Sequence, residues 1–256
     1  MSGFGAAGGL AIDPDFCAGL FARLMSFSRD EPGVTRAAYG EGEEQAHALM
    51  RATGLSLGLS PDTDAAGNLF LTMPGRDPAL APWMVGSHVD TVPHGGNFDG
   101  AAGVIGALAA VEALRRAGLV PVRPVTVAVF RAEESVWFPA SYVGSRAAFG
   151  LLPPETLDLP RTDSGRSLRA HMAALGLHPD AVARGKGCST PPGSTPSWRC
   201  TSSRGRRWRR PGSRWASSRR SAAAFATGRP PASGATAIPA PWRGASAATP
   251  SSPSPT

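Results

Sequence analysis

The stretch Gly86 to Val104, GSHVDTVPHGGNFDGAAGV, constrains this chain more than any other. It brings His88, Asp90 and Asp99 close together on a glycine-rich segment. Trp83-Met84-Val85 just before it is short and apolar and is punctuated by Gly86, so it reads as a buried strand opening into a loop. Imidazole and carboxylate are zinc-type ligands. On an extended backbone, His88-x-Asp90 puts both side chains on one face. Gly95, Gly96, Gly100 and Gly103 would let backbone come close where a side chain would block a site. Taken alone, His88 also fits a surface histidine on a polar loop.

A second stretch adds to the first. Residues 124–130, PVTVAVF, read as a buried parallel strand that runs into Arg131-Ala132-Glu133-Glu134. Ligands of open α/β sheets bind at the carboxyl ends of strands. Two acidic clusters, each just past an apolar strand, therefore point at one shared crevice. The other reading of Glu133-Glu134 is a solvated helix start, because acids suit a first helical turn. With both clusters present, a metal site is the better reading.

The order of motifs then becomes specific. Gly33-Val34-Thr35-Arg36, the whole of Gly86 to Val104, and Glu133-Glu134 followed by Phe138 and Gly144-Ser145-Arg146 occur in sequence. Together they resemble the M20 metallopeptidase-like amidohydrolases of the hydantoinase/carbamoylase branch. That branch holds N-carbamoyl-L-amino-acid hydrolase, β-ureidopropionase and allantoate amidohydrolase. The resemblance runs from about residue 12 to about residue 183.

It implies an α/β fold: an incomplete di-metal aminopeptidase-like catalytic domain. It also implies hydrolysis of a linear amide or ureido C–N bond, as in an N-carbamoyl-L-amino acid, with two divalent ions (Zn, Mn, Co or Ni). By the same resemblance His88 would bind one metal, Asp99 would bridge the two, and Glu134 would bind the second. Glu133 would be the general base, and Asp90 would orient His88. Gly33 to Arg36 would lie near the substrate. Trp137 stands beside Phe138 where the family usually has an arginine. His94 falls where the family varies and reads as a loop residue. His47 and His178 read as surface positions, and His171 as part of a helix face. An intact relative would act on a small molecule as a homodimer, through a smaller lid and dimerisation domain that this chain lacks. A peptidase or aminoacylase of the wider M20 group is the alternative.

Composition divides the chain sharply. Its 256 residues carry a formal net charge of +7. All 19 acidic residues lie at or before Asp180, whereas 13 of the 26 Lys and Arg lie from Arg184 onward. Residues 1–183 are thus acidic on balance and the remainder wholly basic. Three cysteines, Cys17, Cys188 and Cys200, form no ligand spacing and no disulfide framework. Neither a signal peptide nor a run of 18 apolar residues is evident, so a cytoplasmic protein without a membrane span is expected.

Residues 1–11 are Gly/Ala-rich and read as a flexible start, and 12–187 as the partial catalytic domain. Helices are expected over Asp13–Met25, Glu41–Thr53 (stopped by Gly54), Ala101–Arg116 and Ser167–Leu175. Gly33 to Arg36 reads as a turn, and Leu55 to Met73 as two strands around Asp62-Thr63-Asp64 and Gly67-Asn68. Residues 151–160 read as a proline-broken connection.

Residues 188–256 are Ser, Pro, Arg, Gly and Ala with scattered tryptophans and no periodicity, which reads as a disordered basic tail. Arg interleaved with Trp198, Trp208 and Trp215 would allow nonspecific nucleic-acid binding. A shifted reading frame explains the segment better, and no specific nucleic acid is expected. The codons permitted for Ser197 to Gly205, begun one base earlier, can spell Phe-Val-Glu-Val-His-Ile-Glu-Gln-Gly, which resembles the family's next metal-binding signature. Residues 214–221, shifted alike, can spell a family-like apolar strand. On this reading the chain as written is an inactive, incomplete enzyme.

Overall fold

The computed structural model describes residues 10–185. The expected flexible start (apart from residues 10 and 11) and the expected out-of-frame tail lie outside the described residues. Helix α1 (Pro14–Ser28) begins where Asp13 accepts the amides of Asp15 and Phe16, a side-chain N-cap with proline in the first turn. Two short strands follow, β1 (Arg29–Asp30) and β2 (Gly33–Val34), paired antiparallel. Gly33 and Val34 are therefore strand, and only Thr35 and Arg36 lead on toward the next helix.

Helix α2 (Glu41–Ser56) runs past the expected stop at Gly54. Gly54 lies inside the helix, where a Cβ would stand 2.7 Å from Leu71 Cδ1, and its absence lets α2 lie close on the sheet. Gly58, at φ +68, reverses the chain instead. Strands β3 (Ser60–Thr63) and β4 (Leu69–Met73) follow as an antiparallel pair, so the first of the two expected strands starts later than Leu55. After β5 (Trp83–His88) comes α3 (Ala101–Arg116), with the bounds the sequence predicts and Val104, Leu108 and Val111 buried. Strand β6 (Val125–Phe130) completes a four-stranded sheet in the order β3-β4-β6-β5. It is antiparallel to β4 and parallel to β5, so the parallel strand expected at 124–130 is present.

The β4 and β6 side chains alternate as a pleat requires. Leu69, Leu71, Met73, Val127 and Val129 join Leu24, Met50, Ile105 and Leu108 in one core between sheet and helices. Phe70 and Ala128 face the other side, against Ala148. β5 is a strand, as expected, but among the described residues it is the sheet's edge and not buried: Trp83 is 48% and Val85 46% exposed.

Helix α4 (Val143–Ala148), a 3₁₀ turn (Pro154–Asp158) and the short helices α5 (Leu168–Ala174) and α6 (Pro179–Ala183) pack around a second core. Phe138, Leu157, Leu168 and Met172 are its centre. Ser167 caps α5, and Gly176 follows it at φ +72. No helix of the described residues is long and apolar enough to cross a membrane. His47, read as a surface position, is 5% exposed in α2, and burial beside Arg131 pushes its imidazole well below the usual range.

Candidate metal centre

The two segments that carry the candidate ligands leave the same end of the sheet because β5 and β6 are parallel neighbours. His88, last in β5, lies in register with Phe130, last in β6. The first segment carries Asp90 and Asp99, and the second carries Glu133 and Glu134. Here the strand ends predict the geometry correctly.

Asp90 is fully buried between the segments. Its Oδ1 lies 3.1 Å from His88 Nδ1 and accepts the Glu133 amide at 3.2 Å, while Oδ2 accepts the Glu134 amide at 3.0 Å. An ionised carboxylate can only accept, so it holds an imidazole proton on Nδ1, and Nε2 is the nitrogen that a cation would bind once it has given up its own proton. Burial disfavours the charged ring, but the hydrogen bond and charge of Asp90, with Glu133 and Glu134 beyond it, raise His88 to about 9.

One donor atom each from His88, Asp99 and Glu134 falls within 4.8 Å of the others. An imidazole nitrogen and two carboxylate oxygens form a donor set that suits zinc and other first-row divalent ions. The surrounding backbone is shaped to the same end. Gly100, at φ +63, lies so close to the imidazole that any Cβ there would run into the His88 ring. Gly96, in contrast, faces open space, so close approach does not explain every glycine of this loop. These residues fit a divalent cation.

Glu133 stands outside the trio. Its Oε1 accepts the Ser145 amide at 2.7 Å and its Oε2 accepts the Ser145 hydroxyl at 2.8 Å. Burial raises the Glu133 pKa, and those two bonds work against it. Burial raises Glu134 as well, with the His88 charge opposing. Sequence reasoning gave Ser145 no role, although it lies in a quoted motif.

Other predicted positions fall elsewhere. Arg36, in the segment that the resemblance would place near the substrate, is fully buried beneath the 89–97 loop. His94 is an exposed loop residue beside Asp30, His178 is exposed, and His171 lies on α5 with its ring edge to Phe138. Trp137 is buried and donates from Nε1 to Thr91 O at 2.6 Å. It thereby ties the acidic turn to the histidine loop. Asn68, for which no role was foreseen, accepts the Arg131 amide and donates to Asp64 and Gly144 O. The short Asp64-to-Asn68 connection was its only visible signal.

A family profile described as Peptidase family M28 matches residues 68–159, which include all five candidate site residues. The N-carbamoyl-L-amino acid amidohydrolase of Geobacillus stearothermophilus is 37% identical over 167 residues, covering 64% of this chain and 41% of the relative. A crystal structure of a hydantoinase/carbamoylase family amidase from Burkholderia ambifaria aligns with a TM-score of 0.62 and 32% identity. It covers 66% of this chain and 42% of that one. Over about two thirds of its length, this chain is a relative of the hydantoinase/carbamoylase amidohydrolases. The ureidoglycolate hydrolase of Oryza sativa subsp. japonica is 38% identical, over 58% of this chain and 31% of the relative. The chain thus spans less than half the length of the amidohydrolases it matches.

Proposed function

We propose that the site serves metal-dependent hydrolysis of a linear amide or ureido C–N bond, with N-carbamoyl-L-amino acids as the leading substrate class. The observation that carries this reading is the convergence of His88, Asp99 and Glu134 on one point, with Glu133 beside them. The activities of the amidohydrolase relatives supply the substrate class. His88, Asp99 and Glu134 would together hold a divalent ion. A divalent ion there supplies a polarised carbonyl and a more acidic water. Glu133 would accept a proton from the attacking water and return it to the leaving nitrogen. Burial suits Glu133 to both steps by raising its proton affinity, while Ser145 limits the rise and fixes the carboxylate's direction. Asp90 holds the His88 ring with Nε2 forward.

For the 256 residues as written we propose negligible turnover, because three candidate ligands are too few for two tightly held ions. Restoring the alternative frame from about residue 187 would supply the next histidine signature, and the intact protein would be a homodimer. The test is to express the frame-restored gene and compare N-carbamoyl-L-amino acids with dipeptides, with and without added Mn²⁺, Zn²⁺, Co²⁺ or Ni²⁺. Metal-dependent release of the free amino acid from the carbamoyl substrate supports the proposal. The match to peptidase family M28 favours one second reading, a peptidase. Cleavage of dipeptides alone would select it.

A further inference from the structure

One short segment grips both ligand-bearing parts of the site. Arg36, at the exit of β2, is fully buried. Its Nε donates to Val89 O at 2.5 Å, and its Nη1 and Nη2 donate to Oδ1 and O of Asn97 at 3.0 and 3.4 Å. Val89 follows His88 and Asn97 precedes Asp99 by two residues, so one guanidinium holds both ends of the loop between those two side chains. The Arg36 main chain adds an exchange with Thr91, N to Oγ1 and O to N, each at 2.9 Å.

Seven residues on, Glu43 is fully buried at the start of α2. Its Oε1 accepts the Ala132 amide at 2.9 Å, and its Oε2 accepts Arg131 Nη1 at 3.0 Å and the Tyr39 amide at 2.7 Å. Arg131 also pairs with Glu44. The gripped turn needs a restraint. Ala132 sits at φ +50, a left-handed conformation that a residue with a Cβ adopts at a cost. Glu133 and Glu134 follow directly.

We infer that Arg36 and Glu43 are positioning residues. Together they make segment 36–43 a clamp that sets the separation between the His88/Asp99 loop and the Glu133/Glu134 turn. The inference rests on the metal-site reading above. Neither residue touches the donor atoms. Removing either grip should therefore weaken metal binding without removing a ligand, as loss of outer partners typically does by about 10–100-fold.

The full 256-residue chain is titrated with Co²⁺, following its visible ligand-field absorption and, in parallel, its heat of binding. Glu43→Gln keeps the side chain's volume but presents an N–H₂ where one acceptor oxygen stood, so one of the grips on Arg131 and Ala132 is lost. It is expected to bind at least about tenfold more weakly, with an altered absorption envelope. Leu49→Ala, a core truncation elsewhere in α2, lowers stability and is expected to leave affinity and spectrum as in the parent. His88→Ala abolishes the signal. If Glu43→Gln does not fold, Arg36→Lys carries the test, since it keeps the buried charge and loses the fork; the same weakening is expected. Parent-like affinity and spectrum in a folded Glu43→Gln or Arg36→Lys would overturn the clamp while leaving the site reading intact. Equal weakening in Leu49→Ala would also overturn it, by showing a general stability effect. Absence of any His88-dependent signal in the parent would overturn both.

Discussion

Asp90 accepts the backbone amide of Glu134 at 3.0 Å, forty-four residues away along the chain. The same carboxylate holds the His88 ring and the Glu133 amide, so a single buried group joins two segments that the sequence brings together only through strand pairing. Replacing it with Asn keeps one acceptor oxygen and removes the charge. In Asp90→Asn the amide nitrogen cannot accept, so at least one of the three contacts is lost. Calorimetric titration with Zn²⁺ is expected to show about 10–100-fold weaker binding than the parent. Unchanged binding would mean that the His88 orientation is set by something else.

The Glu133 carboxylate is expected to respond to Ser145. Ser145→Ala keeps the amide donor and removes the hydroxyl donor. The ionised form loses one of the bonds that oppose burial, so the Glu133 pKa moves further up. Carbon-detected NMR titration of the labelled carboxyl in the metal-free chain reads that movement directly. In a frame-restored enzyme the acid limb of the pH–rate profile would move the same way. A downward shift contradicts the assignment.

Trp137 is expected to act in folding and not in substrate binding. Its indole N–H satisfies the buried Thr91 carbonyl, and Arg161 stacks 4.9 Å above its ring. Trp137→Phe leaves that carbonyl without this donor, which costs roughly 1–3 kcal/mol. Urea unfolding of the two chains, compared at their midpoints, checks this. A loss below a few tenths of a kcal/mol would show that water or a shifted side chain replaces the bond.

The five candidate site residues stood out in the sequence because they lie at or beyond the ends of two apolar strands, and because spaced motifs in the right order resemble a known family. The sheet's parallel pair and α3 were legible for the same local reasons. What could not be read is long-range. Glu43 lies in the run Glu41-Gly42-Glu43-Glu44, where acids at a first helical turn look solvated; only Arg131, eighty-eight residues on, shows that it is buried. The burial of Arg36 could not be read because nothing local reveals the carbonyls of Val89 and Asn97 that it binds. Trp83 and Val85 looked buried by composition, yet no described strand pairs beyond β5. Gly54 looked like a stop because its use, close packing on Leu71, is tertiary.

The pH dependence of stability should carry a signature of Asp64. Burial raises its carboxyl from 3.8 to about 6, against hydrogen bonds from Asn68 and Ala66. Between those values the folded chain holds a proton that the unfolded chain has released. The stability from this group is therefore greatest at the acid end and falls as pH rises through that window. Asp64→Asn cannot titrate and also loses a bond from Asn68 Nδ2. The parent's advantage over Asp64→Asn, taken from urea unfolding at several pH values, is expected to shrink from about pH 4 to about pH 6. A widening gap would contradict the assigned direction.

The central claim is that His88, Asp99 and Glu134 form one cation site, and anomalous X-ray scattering from crystals of the chain soaked with Zn²⁺ tests it most directly. The account expects a peak about 2.0–2.2 Å from His88 Nε2 and from a carboxylate oxygen of each of Asp99 and Glu134. The peak should be absent in His88→Ala crystals soaked in the same way. A peak bound elsewhere, or none at these three side chains in the parent, would contradict it.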